Sequence, residues 1–146
     1  MNIIIIHGPN LNMLGKRDAE KYGTRTLDEI NNLISQEAKK LGASVSFFQS
    51  NHEGAIIDHL QSDEVRNSDG LVINPGALIR YAYSFRQALV DLNKPLVEVH
   101  MSDIHKTGVN KKVNIFDDVA QRIDQIAGKK EHSYIEGIQV LIKNIK

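Results

Sequence analysis

Residues 3 to 6 are all isoleucine, and Gly8-Pro9 follow almost at once. Side chains along a strand alternate between its two faces, so a run like this is apolar on both sides. Such a strand has to be buried twice over, which is the situation of a central strand in a parallel sheet covered by helices. The run is too short for a membrane span or the core of a signal peptide, and no basic segment precedes it. The expectation is an unprocessed cytoplasmic chain with its first strand at Asn2–His7.

The rest of the chain keeps strand and helix in alternation. Thr26-Leu27-Asp28-Glu29 has the form of a capping box. It opens a helix with apolar positions Leu27, Ile30, Leu33, Ile34, Ala38 and Leu41, stopped by Gly42. Ser44–Gln49 reads as a strand, and Ser50-Asn51-His52-Glu53 as a second capping box ahead of Ile56, Ile57 and Leu60. Gly70–Asn74 is a third strand, Tyr81–Leu92 a helix and Pro95–His100 a fourth strand. A fifth strand is expected near Arg122–Ala127, and a last helix from Ser133 to about Ile145. With no repeat or linker, the 146 residues read as one domain. Its fold class is α/β, a doubly wound five-stranded parallel sheet with helices on both faces.

Sheets of this kind bind ligands beyond the carboxyl ends of their strands. Those ends are His7-Gly8-Pro9-Asn10, Gln49-Ser50-Asn51, Asn74-Pro75-Gly76-Ala77 and His100-Met101-Ser102. A formal net charge of zero gives no field toward nucleic acid or an anionic membrane. The absence of cysteine excludes thiolate chemistry and disulfides. The segment Gly8–Lys16 is not a Walker loop, because its spacing is wrong and Arg17 stands where Ser or Thr is needed. The histidines lack a His-Glu-x-x-His pattern, so metal catalysis is not expected. The late lysines are interleaved with acids and read as a solvated face.

Three features point to acid–base chemistry. Asn10 follows the first strand and could hold a small polar ligand through its amide. Arg17 to Arg25 is polar and unpatterned between Gly15 and Gly23, the form of a mobile lid, and it carries Tyr22. A tyrosine serves as a base only if its pKa falls from about 10 toward 7, roughly 4 kcal/mol, and an adjacent guanidinium is an adequate source. Glu98 and His100 share one face of a strand, where a carboxylate can orient an imidazole. Read alone, the loop tyrosine is also compatible with a solvated connector, and the strand pair with an ordinary charged pair.

Taken together, Gly8-Pro9-Asn10-Leu11-Asn12-Met13-Leu14-Gly15, Arg17 and Tyr22-Gly23 resemble the opening signature of the type II 3-dehydroquinate dehydratases. The resemblance continues at Gln49–Gly54, Asn74–Ala77 and Glu98–His105, and thins after Lys106 into a divergent C-terminal third. It implies a flavodoxin-like fold and anti elimination of water from 3-dehydroquinate, without metal or cofactor. Carried over by position, Tyr22 would be the base and Arg17 would favour its phenolate. Asn10 would help hold a water at the enolate, and His100, positioned by Glu98, would be the acid. Substrate contacts would fall to Asn74, Gly76, Arg80, Gln87, Met101, Ser102 and Lys111. The family also implies trimers assembled into a dodecamer.

The chain departs from the family on the substrate side. Arg80 stands in place of a histidine, Gln87 of an aspartate that reaches a neighbouring subunit, and Thr107 and Lys111 of two arginines. Two alternatives therefore stand beside the dehydratase. One is the same enolate chemistry on another hydroxy-carboxylate, with an anionic group facing Arg80 and Lys111. The other is a non-catalytic small-ligand module on the same scaffold.

Overall fold

The structure is a computed structural model describing residues 1–146. Its elements in chain order are β1 (Asn2–His7), α1 (Ala19–Tyr22), α2 (Leu27–Lys40), β2 (Ser44–Gln49), α3 (Glu53–Leu60), α4 (Asp63–Arg66), β3 (Gly70–Asn74), α5 (Tyr83–Leu92), β4 (Leu96–His100), β5 (Arg122–Ala127) and α6 (His132–Ile145). Short 3-10 turns lie at Leu11–Met13 and Gly76–Arg80. The five strands are all parallel, in the order β2-β1-β3-β4-β5. This is the expected flavodoxin-like sheet, and its order reverses beside β1.

The isoleucine run does what its period demands. Ile3 and Ile5 pack with Ile30, Ile34, Tyr134 and Ile138 under α2 and α6. Ile4 and Ile6 pack with Ile56, Leu60 and Phe85 under α3 and α5. All four isoleucines are fully buried, each contributing about 1.5–3 kcal/mol relative to exposure. Gly137 lets α6 lie close on the sheet, since a Cβ there would meet Val99 Cγ1 at 2.6 Å. No helix is long and apolar enough to cross a membrane.

Thr26 caps α2 as expected, its side chain accepting from the Glu29 N–H at 3.2 Å. The second capping box does not form. Ser50 Oγ instead accepts from the His52 N–H in the turn before α3. Glu53 reaches across to accept from the Phe85 N–H at 3.2 Å, serving the first turn of α5. The helix expected at Tyr81 begins at Tyr83, because residues 76–80 form the separate 3-10 turn. The segment 17–25 is not wholly irregular, for Asp18 accepts from the Glu20 N–H at 3.0 Å and starts the single turn of α1.

Candidate active site

The ends of β1, β3 and β4 open onto a cavity of about 420 Å³. At the end of β1 the chain must turn tightly against β3. A Cβ at Gly8 would stand 2.9 Å from the carbonyl oxygens of Asn74 and Pro75, so only glycine fits there. Asn10 follows in the left-handed region at φ 71°, with its N–H donating to Asn51 Oδ1 at 2.9 Å. Asn51 and Gln49, which donates to the Gly8 carbonyl at 3.2 Å, brace this turn from the end of β2. Asn10 lines the cavity as a result.

Tyr22, on α1, and Arg17, just before it, line the same cavity. The Arg17 guanidinium carbon lies 3.7 Å from the Tyr22 ring centroid, a cation over an aromatic face. The segment is tied down beyond the pair by an Arg25–Glu131 contact of 3.4 Å at the start of α6.

His100 ends β4, and Glu98 sits two residues earlier on the same face, fully buried behind it. His100 Nε2 is 2.7 Å from Glu98 Oε2, which leaves Nδ1 as the ring nitrogen available to the cavity. The carboxylate is not left to one partner. It also accepts from Gln125 Nε2 at 2.6 Å, Asn114 Nδ2 at 2.9 Å and an Arg122 guanidinium nitrogen at 2.9 Å. Burial alone would raise the Glu98 pKa, but the bond and charge of His100, with Gln125 and Arg122, hold it at about 2. Glu98 is therefore ionised, a fixed anion that holds the orientation of the ring in front of it.

Asn74, Gly76, Met101 and Ser102 line the cavity too. Asn74 Oδ1 accepts from the Gly76 N–H at 3.2 Å. The Met101 and Ser102 carbonyls accept from Lys130 and Gly128, at 2.9 and 3.0 Å, which fixes the backbone after β4.

The remaining substrate-side residues behave differently. Arg80 lines the cavity, but its guanidinium donates to the backbone carbonyls of Val113 and, at 2.8 Å, Ile104. It holds together the segment whose residues Ile104, Thr107 and Asn110 form a cavity wall. Gln87 and Lys111 do not line the cavity of their own chain. Gln87 is exposed on α5 and donates to Asp91 at 2.8 Å, while Lys111 lies on a shallow outer depression with Lys106 and Lys112.

Sequence reasoning missed Asn114, Arg122 and Gln125 around Glu98. Gln125 alone had a readable signal, since it is the register partner of Glu98 once β5 is set beside β4. It also missed His7, fully buried with Nδ1 2.7 Å from the Tyr134 hydroxyl and Nε2 2.8 Å from Asn31 Oδ1.

Fold and cavity together define a class: a flavodoxin-like α/β protein with a Tyr–Arg pair and a His–Glu pair facing one pocket at its strand ends. Comparison with known proteins narrows it. The family model for class II dehydroquinases matches residues 1–142. A 3-dehydroquinate dehydratase of Roseiflexus castenholzii is 44% identical over 142 residues, covering 97% of this chain and 88% of that one. One from Thermotoga neapolitana is 43% identical over 143 residues, covering 98% and 95%. The crystal structure of type II dehydroquinase from Butyrivibrio crossotus superposes with a TM-score of 0.89 at 37% identity, covering 97% of each chain. The chain belongs to the class II dehydroquinase family, the 3-dehydroquinate dehydratases.

Proposed function

We propose that the chain works as a hydro-lyase converting 3-dehydroquinate to 3-dehydroshikimate, with Tyr22 as base and His100 as acid. The observation that carries this reading is the stacking of Arg17 on Tyr22 at 3.7 Å, in the cavity that His100 also lines. Tyr22 as phenolate takes the C2 proton, and the electron pair of that C–H bond moves to the ketone oxygen as an enolate. The enolate then reforms the ketone, its electrons make the new C=C bond, and the C–O bond of the β-hydroxyl breaks. His100 gives that oxygen a proton, so one water leaves.

The Arg17 guanidinium, permanently charged, stabilises the anion on the phenol and then on the enolate. Asn10 holds the water at the enolate oxygen. Glu98 keeps the imidazole of His100 oriented. Asn74, Gly76 and the backbone at Met101 and Ser102 take the substrate carboxylate, and Arg80 contributes as the brace of the wall beside it. No cofactor or metal enters these steps.

The chain acts as one domain, with most of its departures from the family after about residue 106. Gln87 and Lys111 meet substrate only if a neighbouring subunit brings them there, in trimers assembled into a dodecamer. Exposed Tyr81 and Tyr83 on the flank of α5, near Gln87, support such an interface. A role in the shikimate pathway supports a cytoplasmic setting. Purified protein mixed with 3-dehydroquinate should raise the ultraviolet absorbance of the conjugated product. No rise at substrate concentrations well above the millimolar range would overturn the reading.

A further inference from the structure

Glu98, behind His100, has both of its carboxylate oxygens engaged. Oε2 lies 2.7 Å from His100 Nε2 and also accepts from Gln125 and Asn114. Oε1 has a single partner, an Arg122 guanidinium nitrogen that donates to it at 2.9 Å. The other terminal nitrogen of Arg122 donates to Asp117 at 3.0 Å, and the Arg122 side chain is 14% exposed. A guanidinium carries donors only and stays charged, so the direction of these bonds is not open to choice.

Arg122 and Gln125 reach one carboxylate because β5 is irregular between them. Side chains of a regular strand alternate, so residues three apart lie on opposite faces. Here Leu96 pairs with Arg122 and Val97 with Asp124, which leaves Ile123 as an extra residue in β5. Gln125 then falls opposite Glu98. The bulge returns residue 125 to the face of residue 122, the face that Leu96, Glu98 and His100 share on β4. Ile123 itself is 37% exposed and adds little to the core.

The last torsion of a glutamate is soft, so a carboxylate held by one oxygen can turn. Held by both oxygens, its plane is fixed. We propose that Arg122, with Gln125 beside it, is a positioning residue, which fixes the plane of the Glu98 carboxylate and so the direction in which the His100 ring faces the cavity. Neither residue lines the cavity itself. Without Arg122, Oε1 becomes a buried acceptor with no donor, and the carboxylate turns toward the partners of Oε2 and loosens the ring. The inference rests on the reading of His100 as the acid given above.

Kinetics and nuclear magnetic resonance on the full-length protein test it together. Arg122→Met keeps the length of the side chain and removes its donors. It should lower kcat on 3-dehydroquinate about 10-fold while KM changes less than about 3-fold. Arg122→Lys, which keeps one charged donor for Oε1, should stay within about 3-fold of the wild-type kcat. In a Glu98→Gln background, Arg122→Met should cost less than about 2-fold more, because both changes act on His100 through one group. A lowered Tm with unchanged kcat in Arg122→Met would make Arg122 merely structural and overturn the proposal. So would a further loss of about 10-fold in the Glu98→Gln background. If Arg122→Met does not fold, Gln125→Met decides: kcat should fall about 3- to 10-fold, and no fall would overturn the proposal. Wild-type protein inactive on 3-dehydroquinate would contradict the assigned reaction instead. The positioning would then be judged by the His100 Nε2–H resonance, which must exchange faster with water in Arg122→Met; unchanged exchange would sink it.

Discussion

The Arg17 guanidinium lies over the face of the Tyr22 ring, 3.7 Å from its centroid, and the two residues are only a short capped turn apart. A cation held there acts on the ring and on any anion that forms beside it. Arg17→Lys keeps a charge but loses the planar group that stacks. We expect Arg17→Ala to lower kcat about 1,000-fold and Arg17→Lys to recover only a small part of that loss. Steady-state kinetics with 3-dehydroquinate checks both values.

Glu98 gives a separable test, because it touches no substrate. Its carboxylate gathers His100, Arg122, Gln125 and Asn114 in the interior. Glu98→Gln leaves the shape and removes the charge, so His100 loses the anion that orients its ring. The expected fall in kcat is about 10- to 100-fold. The same change leaves Arg122, mostly buried, without its inner partner and should cost about 3 kcal/mol in urea unfolding.

His7 makes stability depend on pH. Its folded pKa, about 4, lies below the ordinary 6.5 because burial disfavours the charged ring. Between those values the unfolded chain binds the extra proton and the folded one does not. The contribution of His7 is thus complete above about pH 6.5 and is lost as the pH falls through about 4, at most about 3 kcal/mol. Urea melts from pH 7 to pH 4 should show this slope, and His7→Gln should flatten it.

Arg80 stands where the resemblance implies a histidine, and its guanidinium is committed to the carbonyls of Ile104 and Val113. Placing histidine there should therefore weaken the enzyme by releasing the wall. Arg80→His is expected to raise KM about 5- to 10-fold and to speed tryptic cleavage at Lys106, Lys111 and Lys112. Kinetics and a proteolysis time course check the two effects together.

Much of this architecture could be read directly because the apolar period is strong where burial is deepest. Ile3–Ile6 announced a strand covered on both faces, and Thr26 announced its helix through a local bond that needs no tertiary partner. Glu53 misled because its carboxylate had a better use on another helix, a competition that no local pattern records. The turn of α4 at Asp63–Arg66 was too short to show a period. The motifs at the strand ends indicated Asn10, Asn74 and His100, the glycine-bracketed loop indicated Tyr22, and all four line one cavity. Lys111 shows the limit: position along the chain aligned it with a substrate ligand, but the bonds made by Arg80 set the path of its segment, and it faces outward.

The central claim is that Tyr22 takes the C2 proton and His100 completes the elimination. Mass spectrometry of 3-dehydroquinate incubated with enzyme in deuterated water separates the two steps. His100→Ala should still exchange the C2 hydrogen for deuterium while losing about 1,000-fold or more in product formation. Tyr22→Phe should lose both, by about two to four orders of magnitude. Exchange and turnover in Tyr22→Phe within a few-fold of wild type would contradict the account.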